Sequence, residues 1–182
     1  KLLLEYRSEP VALDAFRAEF VKAYEVLEDE RFAKYAEDIS TKVPSILGNS
    51  DGTEDNSDSI NGILNKTPFR VSYRVQNELV LYLSVLIQNA GFPDDIDYLI
   101  GEATLAILLE KILPRIQGEQ KQLETQNGKS NILKDLEKFV SDHFAFKPQE
   151  GEETKENPLL TKVIKKLEEM DSKLSGYYTN FF

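Results

Sequence analysis

The most apolar stretch of the chain covers residues 73–90, and its pattern predicts a buried α-helix. Apolar residues recur there at intervals of three or four, which places them on one face of a helix. The members of this stripe are Val75, Leu79, Leu83, Leu86 and Ala90. Other apolar residues widen the stripe almost all the way round, so we expect further helices to cover it on several sides. Gly91 follows the last periodic residue, where a left-handed C-cap is expected.

Helical spacing of apolar residues recurs in five other parts of the chain. These are residues 8–40, 59–65, 97–116, 130–146 and 158–174. We expect Pro44 to end the first segment and Pro114 to loosen the last turn of the third, because proline disrupts a helix interior. No segment alternates apolar and polar residues between hairpin turns, as a strand would. The patterns therefore predict an all-α fold, a helical bundle of about five to six helices.

Two polar, acidic stretches interrupt this pattern, at residues 48–59 and 147–157. They cannot bury enough apolar surface to fold alone, so we expect both to be flexible loops. The first also lacks the ligand spacing and terminal glutamate of a calcium-binding loop. The predicted organisation is an N-terminal helical segment over residues 1–44, a flexible acidic loop over 45–59 and a helical bundle over 60–182.

Composition and charge exclude several classes of function. The 182 residues include 22 basic and 32 acidic side chains, a net charge of −10, which argues against binding to nucleic acid or to an anionic membrane. No apolar run is long enough to span a bilayer. The absence of cysteine excludes disulfides, thiol nucleophiles and cysteine-ligated zinc, and it agrees with a reducing cytoplasm. The chain begins with Lys1 and not with methionine, which suggests a piece of a longer protein.

Residues 128–130, Gly-Lys-Ser, look like the end of a phosphate-binding P-loop. The full motif needs an earlier glycine where Leu123 stands, and it needs a buried strand before the loop, whereas residues 117–127 are polar. We therefore expect Ser130 to act as the N-cap of the following helix and not as a phosphate ligand.

Neither the histidine nor the aspartates of the chain predict a metal or catalytic site. His143 is the only histidine, which excludes a multi-histidine metal site, and we expect it to be structural or exposed to solvent. Asp94, Asp95 and Asp97 could be imagined around a metal ion. Carboxylates at a helix start are better explained by capping and by the positive end of the helix dipole.

Arg70 and Arg74 precede and begin the central helix, and they are the strongest candidates for chemistry. The N–H groups at a helix start already favour anions, and a guanidinium there can bind a phosphate group with two parallel hydrogen bonds. The simpler alternative is a salt bridge from Arg74 to Glu78, four residues further on. The residues alone favour this salt bridge.

Four blocks of sequence, taken in order, carry a family resemblance. They are INGILN, YRVQNELVLYL, LLEKILPRIQGEQKQLE and TKVIKKLEEMDSKLSGYYTNFF. This order resembles the C-terminal region of McrB-type AAA+ NTPases, the nucleotide-driven motor subunits of modification-dependent restriction systems. Those proteins have an IN..L segment, a YRV..E helix head, a KILP helix end and a closing helix with a glycine-aromatic tail. The resemblance covers about residues 57–182 and is strongest over 60–124.

The chain also differs from McrB-type proteins, and these differences limit which part of such a protein it resembles. Residues 70–72 read Arg-Val-Ser where the family commonly has Phe-Gly, and the two polar stretches look like local insertions. The chain has no Walker A motif and no acidic Walker B strand. The resemblance therefore implies the α-helical lid of an ATPase module without its nucleotide-binding core.

In AAA+ proteins the lid closes over the nucleotide, and an arginine at the head of a lid helix often contacts the γ-phosphate as "sensor 2". By position, the resemblance assigns this role to Arg74, with Arg70 as the substitute. It implies that the lid couples the nucleotide state to the arrangement of subunits. A lid alone should be inactive, whereas the parent protein should hydrolyse GTP or ATP with Mg²⁺.

The resemblance also implies the partners of this chain. They are the AAA+ core of the same polypeptide, neighbouring subunits of an oligomer and a nuclease partner subunit of a restriction (defence) system in the cytoplasm. We expect no catalytic residue, metal or cofactor held by this chain alone, and no direct contact with nucleic acid or membrane. The alternative is a stand-alone helical protein–protein interaction module, which would bind its partner through the groove beside the central helix or through the aromatic tail.

Overall fold

A computed structural model describes residues 30–48, 58–65, 67–124, 130–144 and 157–182. The described residues form an all-α bundle, which confirms the predicted fold class. Its α-helices are α1 (Glu30–Ala33), α2 (Ala36–Leu47), α3 (Ile60–Ile63), α4 (Tyr73–Asn89), α5 (Asp97–Ile107), α6 (Gln120–Leu123), α7 (Ile132–Phe144) and α8 (Pro158–Leu174). Three of them are single turns of four residues, and the five longer ones build the bundle.

Helix α4 lies against α2 and α5 and provides much of the core. Of the predicted apolar stripe, Val75, Leu79 and Leu83 are buried and Leu86 is half-buried, whereas Ala90 is exposed. The helix is covered on fewer sides than we expected, because Tyr82 is 43% exposed and Val85 is 50% exposed. Polar residues share this side of the helix, so the uncovered surface is mixed in character.

The C-terminal end of α4 confirms the predicted left-handed cap. Gly91 has φ 74°, which an L-residue with a Cβ rarely adopts. The N–H of Phe92 donates to the carbonyl of Ile87 at 3.0 Å, and the N–H of Gly91 donates to that of Gln88 at 3.1 Å. These two hydrogen bonds are the Schellman pattern, and they turn the chain sharply towards α5.

Pro114 loosens the end of α5, as predicted. The helix widens into a π-turn over Leu108–Ile112 and then tightens into a 3₁₀ turn over Leu113–Arg115. The N–H of Leu113 reaches back five residues to the carbonyl of Leu108. Proline has no N–H to donate and its ring collides with the carbonyl four residues earlier, so regular α-helical bonding stops here.

Helices α7 and α8 pack against each other in opposite directions. The side chain of Asn131, just before α7, donates to Asp171 near the end of α8 at 2.7 Å. Asn131 also caps α7, because its Oδ1 accepts from the N–H groups of Leu133 and Lys134. The predicted N-cap, Ser130, is therefore wrong by one residue: its hydroxyl donates to Asp135 at 2.7 Å.

The sequence pattern missed a short pair of strands. β1 (Gly118–Glu119) pairs antiparallel with β2 (Tyr178–Thr179), so that Gly118 faces Thr179. The Thr179 hydroxyl is buried and donates to the Met170 carbonyl at 2.6 Å. The strands attach the end of the chain to the segment that follows α5.

Pro44 does not end the first helical segment, contrary to prediction. Helix α2 continues through it to Leu47, and the carbonyl of Pro44 accepts from the N–H of Gly48 at 2.8 Å. Burial of Val43 and Leu47 offsets the hydrogen bond that proline removes. Both residues belong to the same hydrophobic core as α4 and α8, so residues 30–48 and the bundle are packed together.

Residues 49–57 and 145–156, which include most of the two predicted loops, lie outside the described residues, as do residues 1–29. Within the part that the structure describes, no helix combines the length and apolar character needed to cross a membrane.

Candidate functional site at the head of helix α4

The start of α4 is fixed by a buried asparagine of the INGILN block. Asn61 is 3% exposed. Its Oδ1 accepts from the N–H of Val71 at 2.6 Å, and its Nδ2 donates to the carbonyl of Val71 at 3.1 Å. Nδ2 also donates to the carbonyl of Gly48 at 3.4 Å, so Asn61 links the end of α2 to the segment before α4. One side chain thus holds the extended segment that leads into α4.

Arg74 lies in the first turn of α4 and points into solvent. Its side chain is 81% exposed. Ser72, at the N-cap position, makes no side-chain hydrogen bond to the helix, so it leaves the first N–H groups of α4 to other partners. An exposed guanidinium beside such helix N–H groups is an arrangement that suits an anion.

The predicted salt bridge of Arg74 is present. Its Nε lies 3.2 Å from Oε1 of Glu78. The other oxygen of Glu78, Oε2, lies 3.4 Å from Nζ of Lys111, in the π-turn after α5. Glu78 therefore joins two cations from two different elements, and it uses a separate oxygen for each.

Arg70 lies in the extended segment before α4 and is half-buried. Its Nε is inaccessible to solvent. The guanidinium is therefore more enclosed than that of Arg74, and a phosphate group would reach Arg74 more easily. The head of α4 combines the cations of Arg70, Arg74 and Lys111 with the carboxylate of Glu78.

The opposite end of α4 is built quite differently. The turn between α4 and α5 is clamped by α1 and by the two residues between α1 and α2: the Tyr35 hydroxyl donates to the carbonyl of Pro93 at 2.5 Å, and Lys34 forms a 3.2 Å salt bridge with Asp94. The ring of Phe32 packs edge-on against that of Phe92, with centroids 5.2 Å apart. We call this group of contacts the turn clamp.

The three aspartates of this turn serve structure, and the expected role at the helix start is met in part, because Asp97 lies in the first turn of α5, where the helix dipole favours a carboxylate. Asp94 and Asp97 pair with Lys34 and Lys42, and only Asp95 accepts a hydrogen bond from the start of α5, from the N–H of Asp97 at 2.8 Å. The hydrogen bond to Asp97 raises the pKa of Lys42 above its usual value. Contact with Tyr35 and then with Asp94 raises the pKa of Lys34. The lysines thus remain charged throughout the ordinary pH range.

The other candidates stay apart from the head of α4. His143 is exposed, stacks on Phe139 with centroids 4.1 Å apart and bonds through Nδ1 to the Phe139 carbonyl, so it has a local structural role. Gly128 and Lys129 lie outside the described residues. Within the described ranges, no group of three or more histidine, aspartate or glutamate residues could hold a metal ion.

The end of the chain is partly docked and partly exposed. Lys166 donates to the carbonyl of Phe181 at 2.8 Å and lies over its ring, while Thr179 is fully buried. The remaining aromatic residues face solvent: Tyr177 is 79% exposed and Phe182 is 88% exposed. Docking against the bundle and exposure to solvent therefore both occur in this tail, at different residues.

Comparison with known proteins assigns the chain to a family. A family model described as a domain of unknown function, DUF8727, matches residues 18–179. The chain belongs to the DUF8727 family. No curated protein and no solved structure matches it. The matched part of this DUF8727 chain includes the head of α4, the turn clamp and all of α8.

The four residues of this site, Asn61, Arg74, Glu78 and Lys111, differ in whether the sequence alone could predict their contacts. The Arg74–Glu78 pair could be found, because its four-residue spacing is a local helical signal. Asn61 and Lys111 were missed as members of this site. Their partners lie 10 and 33 positions away in the DUF8727 chain, and no periodicity within one element predicts contacts between elements.

Proposed function

We propose that this chain is the helical lid of a McrB-like AAA+ NTPase, a GTPase or ATPase of a restriction (defence) system. In this proposal the head of α4 contacts the phosphate groups of a nucleotide held by the AAA+ core, with Arg74 as the sensor residue. The lid then couples the nucleotide state to the arrangement of neighbouring subunits. A nuclease partner would act on DNA, and the P-loop and Mg²⁺ ligands would come from the core.

The observation that carries this proposal concerns the four sequence blocks on which the resemblance to McrB-type proteins is based. In the structure these blocks are linked by contacts from one to the next. Asn61 of the first block binds Val71, which lies two residues before the second. Glu78 of the second binds Lys111 of the third. The third block pairs with the fourth through β1 and β2. Blocks that are far apart in sequence thus form one connected unit, as expected for parts of a single domain.

The surroundings of Arg74 support its assignment as sensor. The ion pair with Glu78 uses Nε, so the two terminal nitrogens are not held by that contact. They can form the parallel pair of hydrogen bonds that a phosphate accepts. Because α4 is packed into the core along its length, a shift of its exposed end on phosphate contact would move the whole helix and its neighbours.

The test is NTP hydrolysis by the longer protein that carries this domain, wild type against Arg74→Ala. We expect kcat to fall at least about tenfold, because loss of one group that stabilises a transition-state charge typically costs that much or more. Nucleotide affinity should change less. The matched control is Arg31→Ala, which removes an arginine lying over Phe92 at the opposite end of α4.

Unchanged hydrolysis in Arg74→Ala would contradict the sensor assignment and leave Arg74 as an ion-pair residue only. Absence of NTPase activity from the wild-type longer protein would contradict the McrB-like proposal as a whole. A comparable loss in Arg31→Ala would show that the effect does not depend on the head of α4.

The second candidate is a protein–protein interaction module without nucleotide chemistry. It is favoured by the exposed Tyr82 and Val85 on α4 and by the exposed Tyr177 and Phe182 of the tail, because exposed apolar groups are common at binding surfaces. Under this candidate, the double substitution Tyr82→Ser and Val85→Ser would abolish partner binding, whereas Arg74→Ala would leave it intact.

A further inference from the structure

We infer that Glu78 is a positioning residue that restrains Arg74 through their ion pair. Its negative charge weakens the stabilisation that Arg74 gives to the transferring phosphoryl group. This inference rests on the proposed function. It adds a tuning element, made of Arg74, Glu78 and Lys111, that the sequence resemblance does not contain. The two separate contacts of the Glu78 carboxylate are the observations behind it.

The geometry makes Glu78 a neighbour of any anion that Arg74 binds. Oε1 of Glu78 lies 3.2 Å from Nε of Arg74, so a phosphate on the terminal nitrogens of the same guanidinium would lie within a few ångströms of the carboxylate. Two negative charges at such distances repel each other, and the repulsion is stronger where water is partly excluded. The Glu78 side chain is only 31% exposed, so part of its surroundings is protein.

Lys111 counteracts this repulsion. Its Nζ lies 3.4 Å from Oε2 of Glu78, on the oxygen that Arg74 does not use. Lys111 therefore neutralises part of the carboxylate even when Arg74 engages a phosphate. Because Lys111 belongs to the π-turn that Pro114 imposes, the position of this cation depends on the irregular end of α5.

The experiment compares kcat/KM for NTP hydrolysis in the longer protein, in wild type and in Glu78→Gln, which keeps the side-chain volume and removes the charge. We expect kcat/KM to rise about 2- to 5-fold, the range that corresponds to one partly exposed ion pair. Lys111→Gln should lower it, because the carboxylate then lacks its second cation. Glu78→Asp keeps the charge and should remain close to wild type.

Two controls distinguish an effect of Glu78 that acts through Arg74 from an effect of the changed net charge alone. Glu110→Gln removes a carboxylate from an exposed residue in the same π-turn and should have a smaller effect than Glu78→Gln, because exposed charges without close contact are screened. In the Arg74→Ala background, Glu78→Gln should have no more effect than Glu110→Gln has. This double-mutant cycle measures the coupling between the two residues.

The inference is overturned if Glu78→Gln matches Glu110→Gln, if it lowers kcat/KM, or if its gain persists without Arg74. Failure of the proposed function has a different signature, since Arg74→Ala alone would then leave kcat/KM unchanged. A fall in thermal stability of Glu78→Gln together with a fall in kcat/KM would indicate that Glu78 only holds the fold, which also overturns the inference.

Discussion

The two ends of helix α4 differ in how they are held. At the C-terminal end, the turn clamp fixes the chain with the buried Tyr35, the Phe32–Phe92 ring pair and the Lys34–Asp94 salt bridge. A second salt bridge joins Lys42 of α2 to Asp97 at the start of α5. At the N-terminal end, the backbone is held by Asn61, but the charged side chains of the first turns face solvent. Both ends of α4 are held, but the helix itself presents an exposed arginine only at its N-terminal end, and this arrangement suits a helix whose head senses a charged group.

This difference also separates residues that stabilise the fold from residues that we assign to function. Contacts at the turn clamp are buried or doubly paired, so their loss should reduce the free energy of unfolding. Arg74 is mainly exposed to solvent and Glu78 is partly exposed, so their loss should affect stability little and should act on the chemistry. Substitutions at the two ends of α4 therefore test whether loss of stability and loss of activity arise from different residues.

The largest effect is expected at the turn clamp. Tyr35→Ala removes a side chain that is 2% exposed and leaves the Pro93 carbonyl without its hydroxyl donor. We expect a loss of about 3–5 kcal/mol in the free energy of unfolding, as for other large buried aromatic residues. Urea denaturation would measure it.

The matched control is Tyr73→Ala, at the first residue of α4 and away from the turn clamp, where the tyrosine is 51% exposed. It should stay within about 0.5 kcal/mol of wild type, as surface substitutions usually do. Equal losses at Tyr35 and Tyr73 would remove the contrast between the two ends.

The next effect concerns the backbone at the head of α4. Asn61→Ala leaves both the N–H and the carbonyl of Val71 without their side-chain partner in a buried position. We expect a loss of about 2–3 kcal/mol, because buried polar groups without a partner carry the full cost of desolvation. Denaturation of Asn89→Ala, which changes an exposed asparagine on α4, serves as the comparison and should show little change.

A small effect is expected for Arg74→Ala. The pair with Glu78 is a four-residue helical ion pair whose arginine is 81% exposed. Its loss should change the free energy of unfolding by no more than about 0.5 kcal/mol. Thermal denaturation in low and in physiological salt would test this, and a loss of several times that size would mean that Arg74 is a structural residue.

The smallest effect depends on pH. The raised pKa of Lys42 means that its pairing with Asp97 stabilises the fold fully below 10.5, the usual lysine pKa, and loses this contribution as the pH rises through the raised value. The difference in unfolding free energy between wild type and Lys42→Met should therefore shrink above pH 10.5. Lys121→Met, on the exposed side of α6, is the control for simple loss of charge, and an identical pH dependence there would contradict the assignment.

Local signals in the sequence were enough for much of the fold. The buried stripe of α4, its Gly91 cap and the disturbance at Pro114 each depend on residues within a few positions of one another. The Arg74–Glu78 ion pair is also a local feature, since the two residues are four positions apart in one helix. These features follow from helical periodicity and from the backbone properties of glycine and proline, so they could be predicted without tertiary information.

Features that depend on packing between elements could not be predicted in this way. Pro44 looked like a helix end, yet burial of its neighbours carries α2 past it. Ser130 and Asn131 are adjacent and both can cap a helix. Asn131 is the one that caps α7, and it also contacts Asp171 of α8, a contact that the local sequence does not predict. The contact of Lys111 with Glu78 joins two elements whose relative position no sequence period encodes.

The most direct test of the difference between the two ends of α4 is hydrogen exchange, with and without a non-hydrolysable nucleotide, of the AAA+ protein that the proposed function implies. We expect slower amide exchange over residues 70–78 and in the π-turn around Lys111, with no change over residues 91–97 of the turn clamp. Protection at the turn clamp, or none at residues 70–78 when nucleotide is bound, would contradict the claim that the head of α4 is the end that senses the nucleotide.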